Sequence, residues 1–168
     1  IFVKNCQLGA QPTGITCKVQ EVNKLSFINN QVYPDGRENL VLDACNNCVI
    51  EGNNFKSYYN GILVLNGNDN TVNKNIFWLT GAVQNQLLDH GDDFGIINVK
   101  GNNNMVASNS LSCEWAYAGA VTVNAVQGTG NVFKNCFVDN LESYRVFLVN
   151  AQTEVSNCVS SDKVSIVE

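Results

Sequence analysis

The chain has 168 residues, a net charge of −5 and a sequence pI of about 4.8. Hydrophobic residues make up 45% of it and charged residues only 15%, which excludes a disordered tail or a coiled coil. The few scattered basic residues could not replace the counterions on phosphates, and no apolar run approaches the ~20 residues of a membrane span. We therefore expect neither a nucleic-acid partner nor a membrane partner.

A repeated pattern, apolar-x-x-Asn-x-apolar, runs through the chain. Its five clearest copies begin at Phe27, Ile50, Val72, Val106 and Val132. With weaker copies at both ends, the asparagines of the pattern stand at positions 5, 30, 53, 75, 109, 135 and 157. They are 25, 23, 22, 34, 26 and 22 residues apart, and a period in the low twenties is typical of a solenoid.

Segments of alternating apolar residues lie between the copies of this pattern, at 61–65, 95–99, 120–123 and 146–149. Their period of two and their β-branched residues predict strands rather than helices. A leucine-rich repeat has a similar period, but its Leu-x-x-Leu-x-Leu signature is absent. The sequence therefore predicts an all-β fold, a single-stranded right-handed parallel β-helix of about seven coils. We expect residues 1–168 to form one such domain within a longer chain.

The chain contains 27 asparagines, and we expect those of the pattern to stack as a ladder along the solenoid. Asparagine suits a sharp turn between strands because it tolerates the left-handed conformation. Its side-chain amide can also hydrogen-bond the next coil, which satisfies polar groups buried at the bend. The two prolines, Pro12 and Pro34, interrupt no predicted strand.

Seven cysteines leave at least one without a partner in the chain. Cys45 and Cys48 form the only Cys-x-x-Cys pair, which allows a zinc or redox site. The alternative, which the lack of a second such pair favours, is that the cysteines are small buried residues of a β core.

The residues after each asparagine turn are expected to form loops of different length along one edge of the solenoid, where repeat proteins commonly carry function. These loops contain every tyrosine and tryptophan of the chain, namely Tyr33, Tyr58, Tyr59, Trp78, Trp115, Tyr117 and Tyr144. Aromatic faces beside carboxylates and amides suit a sugar, whose ring stacks while its hydroxyls hydrogen-bond. The alternative is that the aromatic residues pack the loops down or form a subunit interface.

The longest spacing, between the asparagines at 75 and 109, marks an insertion, and a long insertion in a regular solenoid is more often functional than not. Its polar and aromatic residues include Trp78, Asp89, His90, Asp92 and Asp93. Two carboxylates there could act as acid and base on a glycosidic bond. They could instead bind a hard cation such as calcium, or simply end a turn before the strand that begins at Phe94.

Six short motifs stand in order along the chain. They are Gly-Ala-Gln-Pro-Thr-Gly-Ile-Thr at 9–16, Cys-Asn-Asn-Cys at 45–48, Tyr-Asn-Gly-Ile at 59–62, Leu-Asn-Gly at 65–67, Gly-Asp-Asp-Phe-Gly at 91–95 and Gly-Asn-Asn-Asn at 101–104. In this order they resemble the C-terminal half of the inulin fructotransferases and the related difructose-anhydride hydrolases. The resemblance covers most of this chain.

The resemblance implies a trimer of right-handed β-helices that acts on fructan chains or on cyclic difructose without a cofactor, at a site between subunits. One position departs from the family's pattern, because Thr13 stands where the family's Pro-Asp-Gly motif has its catalytic aspartate. Threonine cannot ionise and so cannot replace a carboxylate acid or base. The family's partner glutamate has no clear counterpart. Asp92 and Asp93 do match acidic positions of the family.

We therefore expect a protein of inulin fructotransferase type, secreted or on a cell or virion surface, that binds or acts on a fructan or another oligosaccharide at the loop edge. The carboxylates favour an enzyme that cleaves a glycosidic bond by transfer, elimination or hydrolysis, with no cofactor or metal. The alternatives are a non-catalytic, glycan-binding module of a trimeric phage tailspike or adhesin, which Thr13 favours, and a structural stem whose aromatic residues meet in a trimer.

The loop residues and the family resemblance together indicate one candidate site. Its candidate catalytic residues are Asp92 and Asp93. Its candidate substrate-binding residues are Tyr59, Trp78, His90, Glu114, Trp115 and Tyr117. Among these, the large aromatic rings would stack on sugar rings, and the histidine would hydrogen-bond beside the carboxylates.

Overall fold

Short parallel strands make up most of the described chain. The computed structural model describes residues 1–9, 14–33, 38–58, 61–80, 94–113, 121–139, 146–159 and 164–167. Across these ranges every paired strand is parallel to its partners, and no helix is present, so none could span a membrane. Each strand inside a sheet pairs with strands of the coils before and after it, as Thr71 does with Val49 and Met105. The predicted all-β parallel β-helix is therefore confirmed.

Three sheets run along the solenoid. The first sheet consists of β1 (Phe2–Lys4), β4 (Ser26–Ile28), β7 (Val49–Glu51), β10 (Thr71–Asn73), β13 (Met105–Ala107), β16 (Val132–Lys134) and β19 (Glu154–Ser156). The second sheet consists of β2 (Gln7–Leu8), β5 (Gln31–Val32), β8 (Asn54–Ser57), β11 (Ile76–Leu79), β14 (Ser110–Cys113) and β17 (Phe137–Asp139). The third sheet consists of β3 (Cys17–Gln20), β6 (Leu40–Asp43), β9 (Leu63–Asn66), β12 (Ile97–Val99), β15 (Val123–Ala125), β18 (Phe147–Asn150) and β20 (Val164–Val167).

The asparagine pattern and the alternating segments lie where the sequence predicted them in each coil. They account for two sets of strands, however, whereas the structure has three sheets. Each strong copy of the asparagine pattern spans the end of a first-sheet strand, a two-residue turn and the start of a second-sheet strand. The alternating segments form the third sheet, whose strands begin somewhat later than predicted. Buried apolar residues such as Ile62 and Ile96 precede them and belong to the connection, so hydrophobicity alone did not locate the strand starts.

Inward-facing side chains stack in columns that form a continuous core. On the second sheet Phe55 and Phe77 stack with ring centroids 4.9 Å apart, and Phe27 of the first sheet lies against Phe55, 6.1 Å away. A column on the third sheet consists of Leu40, Leu63, Ile97, Val123 and Phe147. Each member is buried by the coils above and below it, so the stability of a coil depends on its neighbours.

The asparagine ladder is confirmed in the central coils. Asn30, Asn53, Asn75 and Asn109 are each at most 2% exposed. The Oδ1 of Asn75 accepts hydrogen bonds from the backbone N–H and the side-chain amide of Asn53, both at 2.9 Å. Its own amide donates to Ile50 O at 2.9 Å and to Asn109 Oδ1 at 3.0 Å. The amides therefore satisfy one another and the backbone at the bend.

The ladder prediction is wrong by one residue in the end coils. Asn5, Asn135 and Asn157 have positive φ angles of 56°, 54° and 52° and are exposed, so they occupy the left-handed turn position that precedes the ladder residue. The ladder positions belong to Cys6, Cys136 and Cys158. The same correction applies to the copy predicted at Val132, where the inward residues are Phe133 and Val138.

Thiols reproduce part of the amide pattern in these end coils. Cys136 Sγ donates to Val106 O at 3.6 Å, and Asn109 Nδ2 donates to Val72 O, which is the equivalent carbonyl one coil earlier, at 3.0 Å. Cys158 Sγ accepts the backbone N–H of Cys136 at 3.4 Å. A cysteine can thus occupy a ladder position with weaker hydrogen bonds.

A second buried ladder, which the sequence pattern did not predict, lies at the turn from the third sheet to the first. Asn70, Asn104 and Asn131 are each 1% exposed. The Asn104 Oδ1 accepts the backbone N–H of Asn70 at 3.0 Å, and Asn131 Oδ1 accepts that of Asn104 at 2.9 Å. Cys48 begins this ladder by donating its backbone N–H to Asn70 Oδ1 at 2.9 Å.

Candidate functional site

The outward-facing side chains of the second sheet form the best described candidate surface. In β8, β11, β14 and β17 the first and third residues face outward, because the second residue of each strand is buried. The outward residues are Asn54, Lys56, Ile76, Trp78, Ser110, Ser112, Phe137 and Asp139. We call this surface the outer face of the second sheet.

Trp78 is the one candidate substrate-binding residue among the residues that the structure describes. It lies in β11 and not in a loop, which corrects the sequence prediction. Its half-buried ring projects from the outer face, and the ammonium of Lys56 lies 4.2 Å from the ring centroid. Lys56 is its partner on the strand before. The cation–π contact fixes the indole on a rigid strand rather than on a loop.

Two serines separate two rows of larger residues on this face. Ser110 pairs with Ile76 on one side and Phe137 on the other. Ser112 lies in the same way between Trp78 and Asp139. We call this depression, with its serine floor, the serine trough. Phe137 is 51% exposed, although it is the second apolar residue of the pattern copy that begins at Val132.

The sequence reasoning missed most of this face, although a signal was present. Outward residues of the second sheet follow each ladder residue at the first and third positions, so Asn109 is followed by Ser110 and Ser112. The predicted ladder residue Asn135 lies one position before the true one, Cys136, and a shift of one residue exchanges the inward and outward faces of a strand.

The second-sheet strands all end along one edge of the solenoid, and the predicted site residues follow these strand ends in the sequence. β11 ends at Leu79 and β12 begins at Ile97, so the predicted insertion joins the second sheet to the third. Tyr33 and Tyr58, each 43% exposed, follow β5 and β8 at this same edge. The remaining candidates lie outside the described residues, namely Tyr59, His90, Asp92, Asp93, Glu114, Trp115 and Tyr117.

Glu38, which carries a carboxylate, lies near this edge. A Cβ at Gly61, whose φ is +80°, would contact the ring of Phe94 and lie 3.4 Å from Glu38 Cγ. The Gly61 N–H donates to Gly95 O at 2.8 Å, and the Thr16 N–H donates to Glu38 O at 2.9 Å. The third-sheet side of the edge is therefore closely packed from coil to coil.

The Cys-x-x-Cys pair lies in the core and not in a site. Cys45 and Cys48 are free thiols, at most 1% exposed, and both donate to backbone carbonyls such as Val19 O and Asn46 O. Burial raises the pKa of the Cys48 thiol, which disfavours the thiolate that a metal needs. Within the described ranges no three metal-ligating side chains cluster. The interpretation as small core residues is confirmed for Cys45, Cys48, Cys136 and Cys158, whereas Cys6, Cys17 and Cys113 are only partly buried.

Cys136 and Cys158 are neighbours at the C-terminal end of the first ladder. The adjacent Cys136 thiol, and after it the Cys136 backbone N–H that donates to Cys158 Sγ at 3.4 Å, lower the pKa of Cys158 to about 7. The neighbouring Cys158 side chain, together with burial, raises the pKa of Cys136. Of this pair, therefore, Cys158 is the thiol that loses its proton first.

Replacing Cys136 with alanine is expected to raise the pKa of Cys158 toward the ordinary value of about 8.5, because the neighbouring thiol is lost. The thiolate absorbance, followed against pH, should lose its step near pH 7. Cys17→Ala is the matched control, since burial raises the pKa of Cys17 and its removal should leave that step in place. An unchanged titration in Cys136→Ala would contradict the assignment.

The stacked parallel sheets place the protein in the class of β-helix solenoids. A family model described as "Right handed beta helix region" matches residues 3–166, which confirms the predicted handedness. The chain belongs to the right-handed β-helix family. None of the curated proteins matches the chain.

Solved structures of one enzyme match the whole chain. DFA-IIIase from Arthrobacter chlorophenolicus A6 without its lid has a TM-score of 0.83 and 20% identity, over 99% of this chain and 44% of that chain. Its complex with GF2 has a TM-score of 0.79 and 20% identity, over 99% and 45%. Its complex with DFA-III has a TM-score of 0.79 and 19% identity, over 99% and 47%.

These matches confirm the resemblance expected from the short motifs, at the level of the fold. The chain spans less than half the length of the solved structures it matches. An identity near 20% shows a shared β-helix and does not transfer an activity or a substrate.

Proposed function

We propose that this protein is a carbohydrate-active β-helix protein that binds an oligosaccharide along the edge where the second-sheet strands end. The observation that carries the proposal is Trp78, a partly exposed indole held on a rigid strand by Lys56 at the start of the longest insertion. An indole face stacks on the apolar face of a sugar ring, and a fixed platform loses little entropy on binding.

Two further observations support a sugar. Tyr33 and Tyr58 expose part of their rings at the same edge, so aromatic residues recur there from coil to coil. The solved structures of the same fold include complexes with GF2 and with DFA-III. Proteins of this fold can thus hold small saccharides.

In this proposal Asp92 and Asp93 act as acid and base on a glycosidic bond, and His90 hydrogen-bonds beside them. Tyr59, Glu114, Trp115 and Tyr117 complete the binding edge. The protein acts as a homotrimer outside the cell or on a cell or virion surface, and its reaction is fructosyl transfer, elimination or hydrolysis.

One observation favours a second candidate function, a non-catalytic glycan-binding module of a trimeric tailspike or adhesin. Thr13 stands where the resembling enzymes have a catalytic aspartate, and threonine supplies no carboxylate. Such a module would use the same aromatic edge and would retain a glycan without cleaving it.

Trp78→Ala is expected to weaken oligosaccharide binding about tenfold, the value of one lost stacking contact. Binding is measured by calorimetry on a glycan panel that includes inulin and difructose anhydride, and products are separated by chromatography. Phe2→Ala is the matched control, because Phe2 is 75% exposed on the first sheet.

The outcomes separate the two candidate functions. Turnover that Asp92→Ala with Asp93→Ala abolishes supports the enzyme, whereas binding without turnover supports the module. If Trp78→Ala and Phe2→Ala bind every glycan as tightly as the unmodified protein, the binding edge is placed wrongly.

A further inference from the structure

The serine trough has the dimensions of a slot for one sugar ring. Its two sides stand on β11 and β17, two strand spacings apart, which is roughly 9–10 Å. A ring in van der Waals contact with both sides needs about 3.5–4 Å on each. Because Ser110 and Ser112 are small, the middle strand leaves this space open.

The sides of the trough offer complementary contacts across each serine. Across Ser112, Trp78 and the exposed residue Asp139 stand on opposite sides of the trough. Lys56, whose ammonium contacts the indole, stands on the preceding strand β8, whereas the trough lies on the other side of β11. A sugar ring there would stack on the indole while its hydroxyls donate to Asp139 and Ser112.

The Ser110 end of the trough is more apolar. Ile76 is 50% exposed and Phe137 is 51% exposed, and they stand on opposite sides of Ser110. Exposed apolar groups on both sides of a hydroxyl suit the mixed surface of a carbohydrate. A protein-protein contact on a flat sheet would gain little from a recessed polar floor.

The direction of the trough connects it to the binding edge. Its floor is β14, and the chain continues from Cys113 into Glu114 and Trp115, which belong to the proposed binding edge. A saccharide that lies along β14 would therefore run across the solenoid axis toward that edge.

We propose that the serine trough continues the binding edge past Trp78, as a subsite for one residue of an oligosaccharide whose other end lies where the second-sheet strands end. The inference rests on the proposed function, because it assumes that the edge binds a saccharide. Its consequence is a preference for longer chains, since a disaccharide at the edge is too short to use the trough fully.

The test is a ladder of fructo-oligosaccharides of increasing length, titrated calorimetrically, with malto- and xylo-oligosaccharide ladders beside it. The unmodified protein should bind longer members more tightly. Ser112→Phe fills the trough and Phe137→Ala removes one side of it, and in both the loss of affinity should grow with chain length, to about tenfold for the longest member.

Thr71→Phe is the matched control, because Thr71 faces outward at the centre of the first sheet, and it should leave the length dependence intact. Thermal unfolding of each variant establishes that the fold is retained. If Ser112→Phe and Phe137→Ala keep the full gain with length, the trough is refuted and the binding edge stands. If no ladder binds the unmodified protein, the proposed function fails, and the subsite fails with it.

Discussion

Replacing Asn75 with alanine is expected to lower the free energy of unfolding by about 3–5 kcal/mol. The loss would leave the backbone N–H and the side-chain amide of Asn53 without their acceptor, and Ile50 O without its donor. Asn75 is 1% exposed, so water cannot reach these groups without opening the bend. A buried hydrogen-bonding group left unsatisfied loses its full desolvation energy.

Urea denaturation followed by circular dichroism measures this change. Asn54→Ala is the matched control, because Asn54 lies next to a ladder residue but faces outward, and its cost should stay within about 0.5 kcal/mol. Asn75→Cys should cost less than Asn75→Ala, since the chain itself places cysteines in the ladder at both ends. Equal stabilities of Asn75→Ala and Asn54→Ala would show that the ladder is not what holds the bend.

The period of the asparagines was enough to predict the coil and the stacking, because each coil must bury its apolar face on the next. The exact register of the ladder was not predictable, because asparagine suits two consecutive positions of the turn. One is the left-handed turn position and the other is the buried ladder position. Asn135 stands in the left-handed turn position, whereas Asn109 satisfies the buried bend. The residue type is the same in both positions, and only the burial of the next residue distinguishes the two roles.

The candidate site was predictable in kind and not in detail. Aromatic residues indicated a sugar surface, and Trp78 does lie on the solenoid exterior. Lys56 and Ser112 belong to the candidate surface because they flank Trp78 on the neighbouring strands. Which residues become such neighbours depends on the unequal lengths of the coils. The insertion makes the step from Trp78 to Ser112 longer than that from Lys56 to Trp78. No sequence period could place them side by side before the ladder register was known.

Replacing Gly101 with alanine is expected to lower the free energy of unfolding by about 3 kcal/mol. Gly67, Gly101 and Gly128 stack at the turn that follows the third sheet. A Cβ on Gly101 would lie 2.8 Å from the Gly67 amide nitrogen and closer still to the Gly67 carbonyl. These are backbone atoms of the adjacent coil, which cannot move without breaking hydrogen bonds in the sheets on both sides.

Gly130→Asn is the matched control for this change. A Cβ on Gly130 would approach closely only the Oδ1 of Asn103, the end of an exposed side chain, and its other neighbours lie at ordinary contact distances of 3.6 Å and 3.9 Å. Gly130 has a φ of +67°, and Asn103, the equivalent residue one coil earlier, already adopts +54° as an asparagine. Its cost, measured by the same urea denaturation, should therefore stay below about 1 kcal/mol. If both variants are equally stable, coil spacing is set by side-chain packing. A large loss in Gly101→Ala alone would show that direct backbone contact at this turn limits how closely the coils stack.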